Sequence, residues 1–309
     1  PALLVIGSVC LASSAIAGWS DCENLVPGAS DIHTIRAVPD GFGGSIVGWY
    51  ETQITGDDLI HVSRFDADAL ELWHEYWPVD HLMSGAFALA EDGVGGCFIA
   101  YRTGTQTYTR RILVHSGLWG RAKAINASNE PHYGGLEIVF DGIDGAWLAY
   151  TMKNADNKMT LHATHIAYFG NTDIHIGLDD RQLSGPSGII EVDLTAPGDG
   201  GCYFTWDNVH NEFIPDTDVL LQYADSNGVT YFGYRGMEVV DGVGTSESSP
   251  SVVVFDDLTC AVAFMSEAQG GPAVQRVDIS GNRLGGDHGI AVNASGEASE
   301  GAPVIAMEG

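Results

Sequence analysis

An all-β fold assembled from repeated four-stranded antiparallel units is what this sequence predicts, on three observations. A glycine-rich turn motif recurs about every fifty residues. Each copy is flanked by short runs rich in β-branched and aromatic residues. No stretch carries the sustained 3.6-residue apolar periodicity of an amphipathic helix. Glycine supplies 40 of the 309 residues, as a chain full of tight turns requires. Hydrophobic residues make up 45%, enough to bury a core and to exclude bulk disorder.

The turn motif reads Asp-Gly-x-Gly-Gly, followed by an alternating run ending in an aromatic. It occurs as Asp40-Gly41-Phe42-Gly43-Gly44 leading to Trp49, and as Asp92-Gly93-Val94-Gly95-Gly96 leading to Tyr101. A third copy is Asp141-Gly142-Ile143-Asp144-Gly145 leading to Tyr150. Weaker copies are Pro197-Gly198-Asp199-Gly200-Gly201 leading to Trp206, and Asp256-Asp257-Leu258-Thr259 leading to Phe264. The anchors Asp40, Asp92, Asp141, Pro197, Asp256 and Glu308 lie 52, 49, 56, 59 and 52 residues apart. Glycine at these places supplies the positive φ that a hairpin turn demands.

A second hairpin follows each first one. It is plainest at Val274-Gln275-Arg276-Val277-Asp278, where Ser280-Gly281-Asn282 turns the chain. The equivalents are Asp66 to Asp68, the run from Ile112 to Gly120, the run from His162 to Gly170, and Asp225-Ser226-Asn227-Gly228. Four short strands per unit of about fifty residues is the arithmetic of a β-propeller blade. One such sheet cannot bury both faces, so neighbours must stack. The expectation is five complete blades and the start of a sixth, in a chain truncated at both ends. Residues 1–17 are read as an incomplete signal peptide, 18–30 as a linker and 31–309 as the propeller. Tandem β-sandwiches would need a period near 100 residues.

These patterns, Asp-Gly-x-Gly-Gly…Trp and Gln275-Arg276-Val277-Asp278 with its Gly-Asn turn, resemble the repeats of bacterial secreted β-propeller proteins. The resemblance covers about residues 31 to 309 and implies an exported or cell-surface, non-catalytic protein. A second pattern, Asp-x-x-Gly followed by Leu-Trp, is similar to quinoprotein dehydrogenase repeats. Those place a tryptophan in most blades, whereas only Trp73 and Trp119 fit here, which speaks against a quinone cofactor.

The formal net charge is −28, from 41 acids against 13 bases. So negative a surface repels phosphate backbones and anionic membranes, which disfavours nucleic acid as a partner. Pro1 to Ala17 reads PALLVIGSVCLASSAIA, an apolar run ending in the small-x-small pattern of a cleavage site. No later segment reaches the ~18 apolar residues of a membrane helix. Cys97, Cys202 and Cys260 occupy equivalent repeat positions, too far apart for disulfides, and read as small buried residues. No Cys-x-x-Cys pair suggests zinc. Trp49, Tyr101, Tyr150, Trp206 and Phe264 hold one repeat position, as residues packed between blades would.

In a meander the 1–2 and 3–4 turns share one face, and the 2–3 loops and blade-to-blade links share the other. The motifs occupy the first face. The loops of the second vary freely, so that face is expected to carry function. The richest loop offers Asp207, His210, Glu212, Asp216 and Asp218 as binding candidates for Ca²⁺ or a sugar. Asp225 to Gly228, Asp66 to Asp68 and Asp278 to Ser280 carry only fragments of a Ca²⁺ loop and read as hairpin turns. His162 and His165, three apart in a strand, face opposite ways and make no metal pair. No metal site is assigned and no cofactor is expected, Ca²⁺ being the one ion the acidic excess could serve. The leading expectation is an exported, monomeric binding or structural module of a longer chain, with a polysaccharide or protein ligand. The alternative is a propeller glycoside hydrolase or lyase, with Glu191 and Asp193 on one strand face as its carboxylates.

Overall fold

The computed structural model describes residues 4–5, 32–52, 56–80, 82–104, 106–114, 122–127, 135–153, 159–167, 172–183, 191–209, 217–241, 246–292 and 302–306. Most of the expected signal peptide, the linker 18–30, Cys10 and Cys22 lie outside them. Of the first seventeen residues β1 (Leu4–Val5) is described. The first sheet holds β2 (Ile32–Pro39), β3 (Ser45–Thr52), β4 (Asp58–Phe65) and β5 (Glu71–Val79). The second holds β6 (Leu82–Glu91), β7 (Cys97–Thr103), β8 (Gln106–Ile112) and β9 (Lys123–Ala127). The third holds β10 (Leu136–Phe140), β11 (Ala146–Lys153), β12 (Met159–Ile166) and β13 (Thr172–Leu183). The fourth holds β14 (Val192–Thr195), β15 (Cys202–Val209), β16 (Thr217–Ala224) and β17 (Met237–Glu238). The fifth holds β18 (Glu247–Val254), β19 (Cys260–Ser266), β20 (Gly271–Val277) and β21 (Ile290–Ala291). Finally β22 (Ile305–Ala306) pairs antiparallel with β1.

Every four-stranded sheet runs in simple sequence order, a meander. The chain forms two compact units, residues 1–9, 149–164 and 174–309 in one and 10–148 with 165–173 in the other. Within the second, the first strands are neighbours, β2 beside β6 and β6 beside β10. Within the first, β14 lies beside β18, and β18 beside β22. Meanders stacked with their first strands adjacent are propeller blades, and β22 stands where the first strand of a sixth would. Among the described residues no helix is long and apolar enough to cross a membrane.

The recurring turn explains the repeat chemically. Asp40 Oδ1 accepts the N–H groups of Phe42 at 2.8 Å and Gly44 at 2.7 Å, while Gly41 and Gly43 take φ of 75° and 89°. A Cβ at Gly44 would sit 2.1 Å from the Phe65 carbonyl oxygen, so only glycine fits. Asp92 and Asp141 repeat the same pattern. The other carboxylate oxygen is then held by the third strand of the same blade: Asp40 by Arg64 at 2.8 Å, Asp92 by Arg111 at 2.9 Å, Asp141 by His165 at 2.8 Å. Blade four substitutes Tyr223, whose hydroxyl reaches Asp199 at 3.3 Å, and blade five uses Arg276 on Asp257 at 2.9 Å. In these two blades the carboxylate that works is therefore not at the anchors read from sequence, Pro197 and Asp256. Leu258, at φ 60°, takes the place that glycine fills elsewhere.

The second hairpins use the same economy. Asp66, Asp225 and Asp278 each cap their own turn through Oδ1, as hairpin turns. In the last two blades a buried glutamine clamps the outer loop. Gln222 donates to Gly233 O at 2.6 Å and accepts from Phe232 N–H; Gln275 does the same with Gly286 O and Gly285 N–H.

Cores lie between blades. Ile46, Tyr50, Ile60 and Val62 of the first sheet meet Phe87, Leu89, Ile99 and Tyr101 of the second. Tyr203, Val219 and Leu221 of the fourth meet Val252, Val262 and Phe264 of the fifth. The five repeat-position aromatics are all buried, and Cys97, Cys202 and Cys260 are free, buried thiols.

Candidate functional site

On the turn face the repeat carboxylates Asp40, Asp92 and Asp141 are tied down. Burial pushes Asp40 up, but the Phe42 and Gly44 N–H groups and the Arg64 guanidinium hold its carboxyl below the ordinary range. Burial likewise opposes, and His165 with two backbone N–H groups outweighs, at Asp141.

The opposite end of the fourth and fifth blades differs. Asp207 was expected in a loop, but the pairing of β15 with β16 runs on through Asp207↔Val219 to Val209↔Thr217. Asp207 is therefore a strand residue, and its carboxyl is buried. Its Oδ1 accepts the Glu191 N–H at 2.8 Å, and its own N–H donates to Glu191 O at 3.2 Å. The Ser249 N–H adds another bond. Ser249 lies in a bulge of β18, between Ser248 and Ser251, with φ 55°, a costly conformation for a non-glycine residue. Thr34 at φ 43° marks a bulge at the corresponding place in β2, so the kink belongs to the blade pattern. Burial, then the neighbouring Glu191 charge, push the Asp207 carboxyl up to about 7 against the pull of those bonds. Glu191 itself is exposed.

Asp193 takes a different place. Its carboxylate accepts from Ser251 Oγ at 3.0 Å and Val252 N–H at 2.8 Å, stitching β14 to β18. Burial raises its carboxyl, and these bonds pull the other way. Sequence paired Glu191 with Asp193; the structure sets Glu191 beside Asp207, and Asp193 against the next blade. Asp218 lies opposite Asn208 in β16. His210, Glu212 and Asp216 lie outside the described residues.

Next to Ser249 the fifth blade opens a cleft of about 410 Å³, lined by Ser246, Ser248, Met265, Ser266, Glu267, Gly270 and Gly271. It sits at the 2–3 turn of that blade. The sequence puts both stretches on the variable face, Ser266 to Gly271 as a 2–3 loop and Asp241 to Ser249 as a link between blades, without singling out their serines. The run Ser246-Glu247-Ser248-Ser249-Pro250-Ser251 was legible only as a polar link.

Imidazoles form a second missed grouping. In the first blade Trp49, His61, His74 and Tyr76 lie side by side across β3, β4 and β5, with His61 and Tyr76 directly paired. In the third, Tyr150, His162 and His175 repeat this. The signal was present: His61 follows Trp49 by twelve residues and precedes His74 by thirteen, and Tyr150, His162 and His175 keep the same spacing. His162 and His165 do face apart, one against His175 and the other on Asp141. Burial, then His175, lower His162 to about 4. Among the described residues no three His, Cys, Asp or Glu side chains converge on a metal position.

No protein-family model matches this chain, and no curated protein matches it. Solved structures do. A prolyl endopeptidase, from a study of two such enzymes and their inter-domain dynamics, matches at 14% identity and a TM-score of 0.49, over 86% of this chain and 34% of its own. TolB from Acinetobacter baumannii matches at 11% identity and 0.40, over 89% and 57%. A thermostable family-43 glycoside hydrolase matches at 8% and 0.37, over 68% and 74%. The chain thus spans about a third of the endopeptidase and little more than half of the TolB chain. These are likenesses of chain trace, and the chemistry rests on this chain's own residues.

Proposed function

We propose that this chain is an exported, non-catalytic β-propeller that holds a polysaccharide on its 2–3 loop face. The observation that carries this reading is the cleft in the fifth blade. Serine hydroxyls and the Glu267 carboxylate can bond a ligand's hydroxyls there, while Met265 and the glycine backbone offer an apolar surface to a sugar ring. The charge of −28 favours a neutral or cationic chain over a polyanion. The apolar run ending in Ala15-Ile16-Ala17 supports export. A Cβ at Gly271 meets nothing within 4 Å, so a side chain can start there without a clash, and Gly271→Trp is chosen to block the cleft. Glycan-array screening followed by calorimetry tests the reading. Binding by the parent chain should be lost in Gly271→Trp at an unchanged melting temperature. Equal binding by both proteins, or none by the parent to any glycan, overturns it.

A second reading, a glycoside hydrolase or lyase, is favoured by one observation. Burial pushes the Asp207 carboxyl up to about 7 beside the exposed Glu191, and a carboxyl raised in this way next to a second one is a candidate general acid. Polysaccharide turnover that Glu191→Gln and Asp207→Asn each abolish would establish it in place of the binding reading.

A further inference from the structure

The first blade carries an arrangement that a binding scaffold does not require. We propose that His61 and His74 form a site for a late first-row transition-metal ion such as Cu²⁺ or Zn²⁺, with His61 Nδ1 and His74 Nε2 as ligands and Glu51 as the outer partner. The two nitrogens are 3.1 Å apart. The ring centroids are 5.3 Å apart with 25° between planes. That separation is close to the N···N distance plus the two centroid-to-nitrogen radii, so the nitrogens confront each other edge-on. Two Zn–N bonds of about 2.0–2.1 Å span roughly 3.3 Å at the tetrahedral angle. Opening that gap by a few tenths of an ångström and turning each imidazole in its plane by roughly 35°, so that both lone pairs aim at one point, turns the hydrogen bond into a chelate.

The surroundings are those of a held ligand. His61 is 7% exposed. Its Nε2 faces Glu51 Oε2, at 3.4 Å. A proton on Nε2 aimed at that carboxylate leaves the Nδ1 lone pair for the metal, the usual outer-shell arrangement of a metal-bound histidine. The Trp49 ring, parallel within 4° at 5.1 Å, and Tyr76 at 5.7 Å fix the imidazole plane. His74 is exposed, so water can complete the coordination. Imidazole nitrogens suit Cu²⁺ and Zn²⁺, with Cu²⁺ the tighter.

The third blade supplies an internal control. There His162 Nε2 contacts Thr160 Oγ1 at 3.0 Å, and His175 Nδ1 contacts Thr164 Oγ1 at 2.9 Å and the Tyr150 hydroxyl at 3.3 Å. The spacing is the same, but those nitrogens turn to hydroxyls rather than to each other.

Cu²⁺ titrated into the full chain at pH 7, followed by calorimetry and electron paramagnetic resonance, tests this. One equivalent should bind with splitting from two imidazole nitrogens. His74→Ala should weaken binding by roughly tenfold or more and leave one nitrogen, and Glu51→Gln should weaken it by roughly tenfold. His175→Ala should bind as the parent does. Melting without metal reports whether each variant folds, with His74→Gln as the substitute should His74→Ala fail. Binding unchanged in the folded His74 variant, or weakened equally by His175→Ala, overturns the proposal.

Discussion

Replacing Asp207 by Asn should remove a pH dependence from the stability of this protein. The unfolded carboxyl ionises at an ordinary 3.8, whereas the folded one, buried beside Glu191, holds its proton to about 7. Between those values the folded state binds more protons than the unfolded state. This site's contribution is therefore fully present below about pH 4, declines as pH rises, and is gone above about pH 7. At 1.36 kcal/mol per unit of pKa difference, the whole loss is on the order of 4 kcal/mol. Asn keeps a carbonyl oxygen for the Glu191 and Ser249 N–H groups but cannot ionise. Denaturant unfolding of parent and variant at several pH values between 4 and 8.5 isolates this site from the other acids, because only the difference is read. The variant should gain on the parent steadily from pH 4 to pH 7 and hold a constant margin above. A difference that stays flat with pH would refute the burial argument and remove the ground for treating Asp207 as an acid.

Three further outcomes follow from the packing. Arg111→Ala should cost about 3–5 kcal/mol by denaturant unfolding, since it strands the buried Asp92 without its partner; Arg276→Ala, whose pair with Asp257 is exposed, should shift the midpoint far less. Gly48→Ala should cost about 1–3 kcal/mol, because its Cβ would come within 2.7 Å of the fully buried Phe87 ring, and thermal melting checks this. Cys97, Cys202 and Cys260 should resist thiol reagents until the chain unfolds, burial having raised Cys97 and lifted Cys260 to about 12; counting labelled thiols with and without denaturant, in a chain with Cys10 and Cys22 replaced, decides it.

The blade pattern was legible because its causes are local. A carboxylate two and four residues before the N–H groups it caps, and glycines where φ is positive, are visible in any window of five residues. So were the buried aromatics at Trp49, Tyr101, Tyr150, Trp206 and Phe264, which follow from alternation within one strand. The fourth and fifth turns misled by two residues and one, since Asp199 and Asp257 rather than Pro197 and Asp256 hold the turn. Leu258 took a conformation that no glycine announced.

The candidate site was legible only in its parts. Glu191 and Asp207 each stood out as carboxylates, yet they were assigned to different roles, because sixteen residues and a turn separate them. Their meeting depends on the register of β14 against β15, which no local pattern states. The acidity of Asp207 depends on burial between two blades, and the latches of Asp40, Asp92 and Asp141 depend on side chains 19 to 24 residues away. By itself, then, the sequence determined the hairpins, their period and the four-stranded unit, since turn chemistry and alternation act over a few neighbouring residues. Only the tertiary structure decided which charges are bound, which are buried and which remain free, because desolvation and hydrogen bonding are set by whatever the folded chain brings alongside.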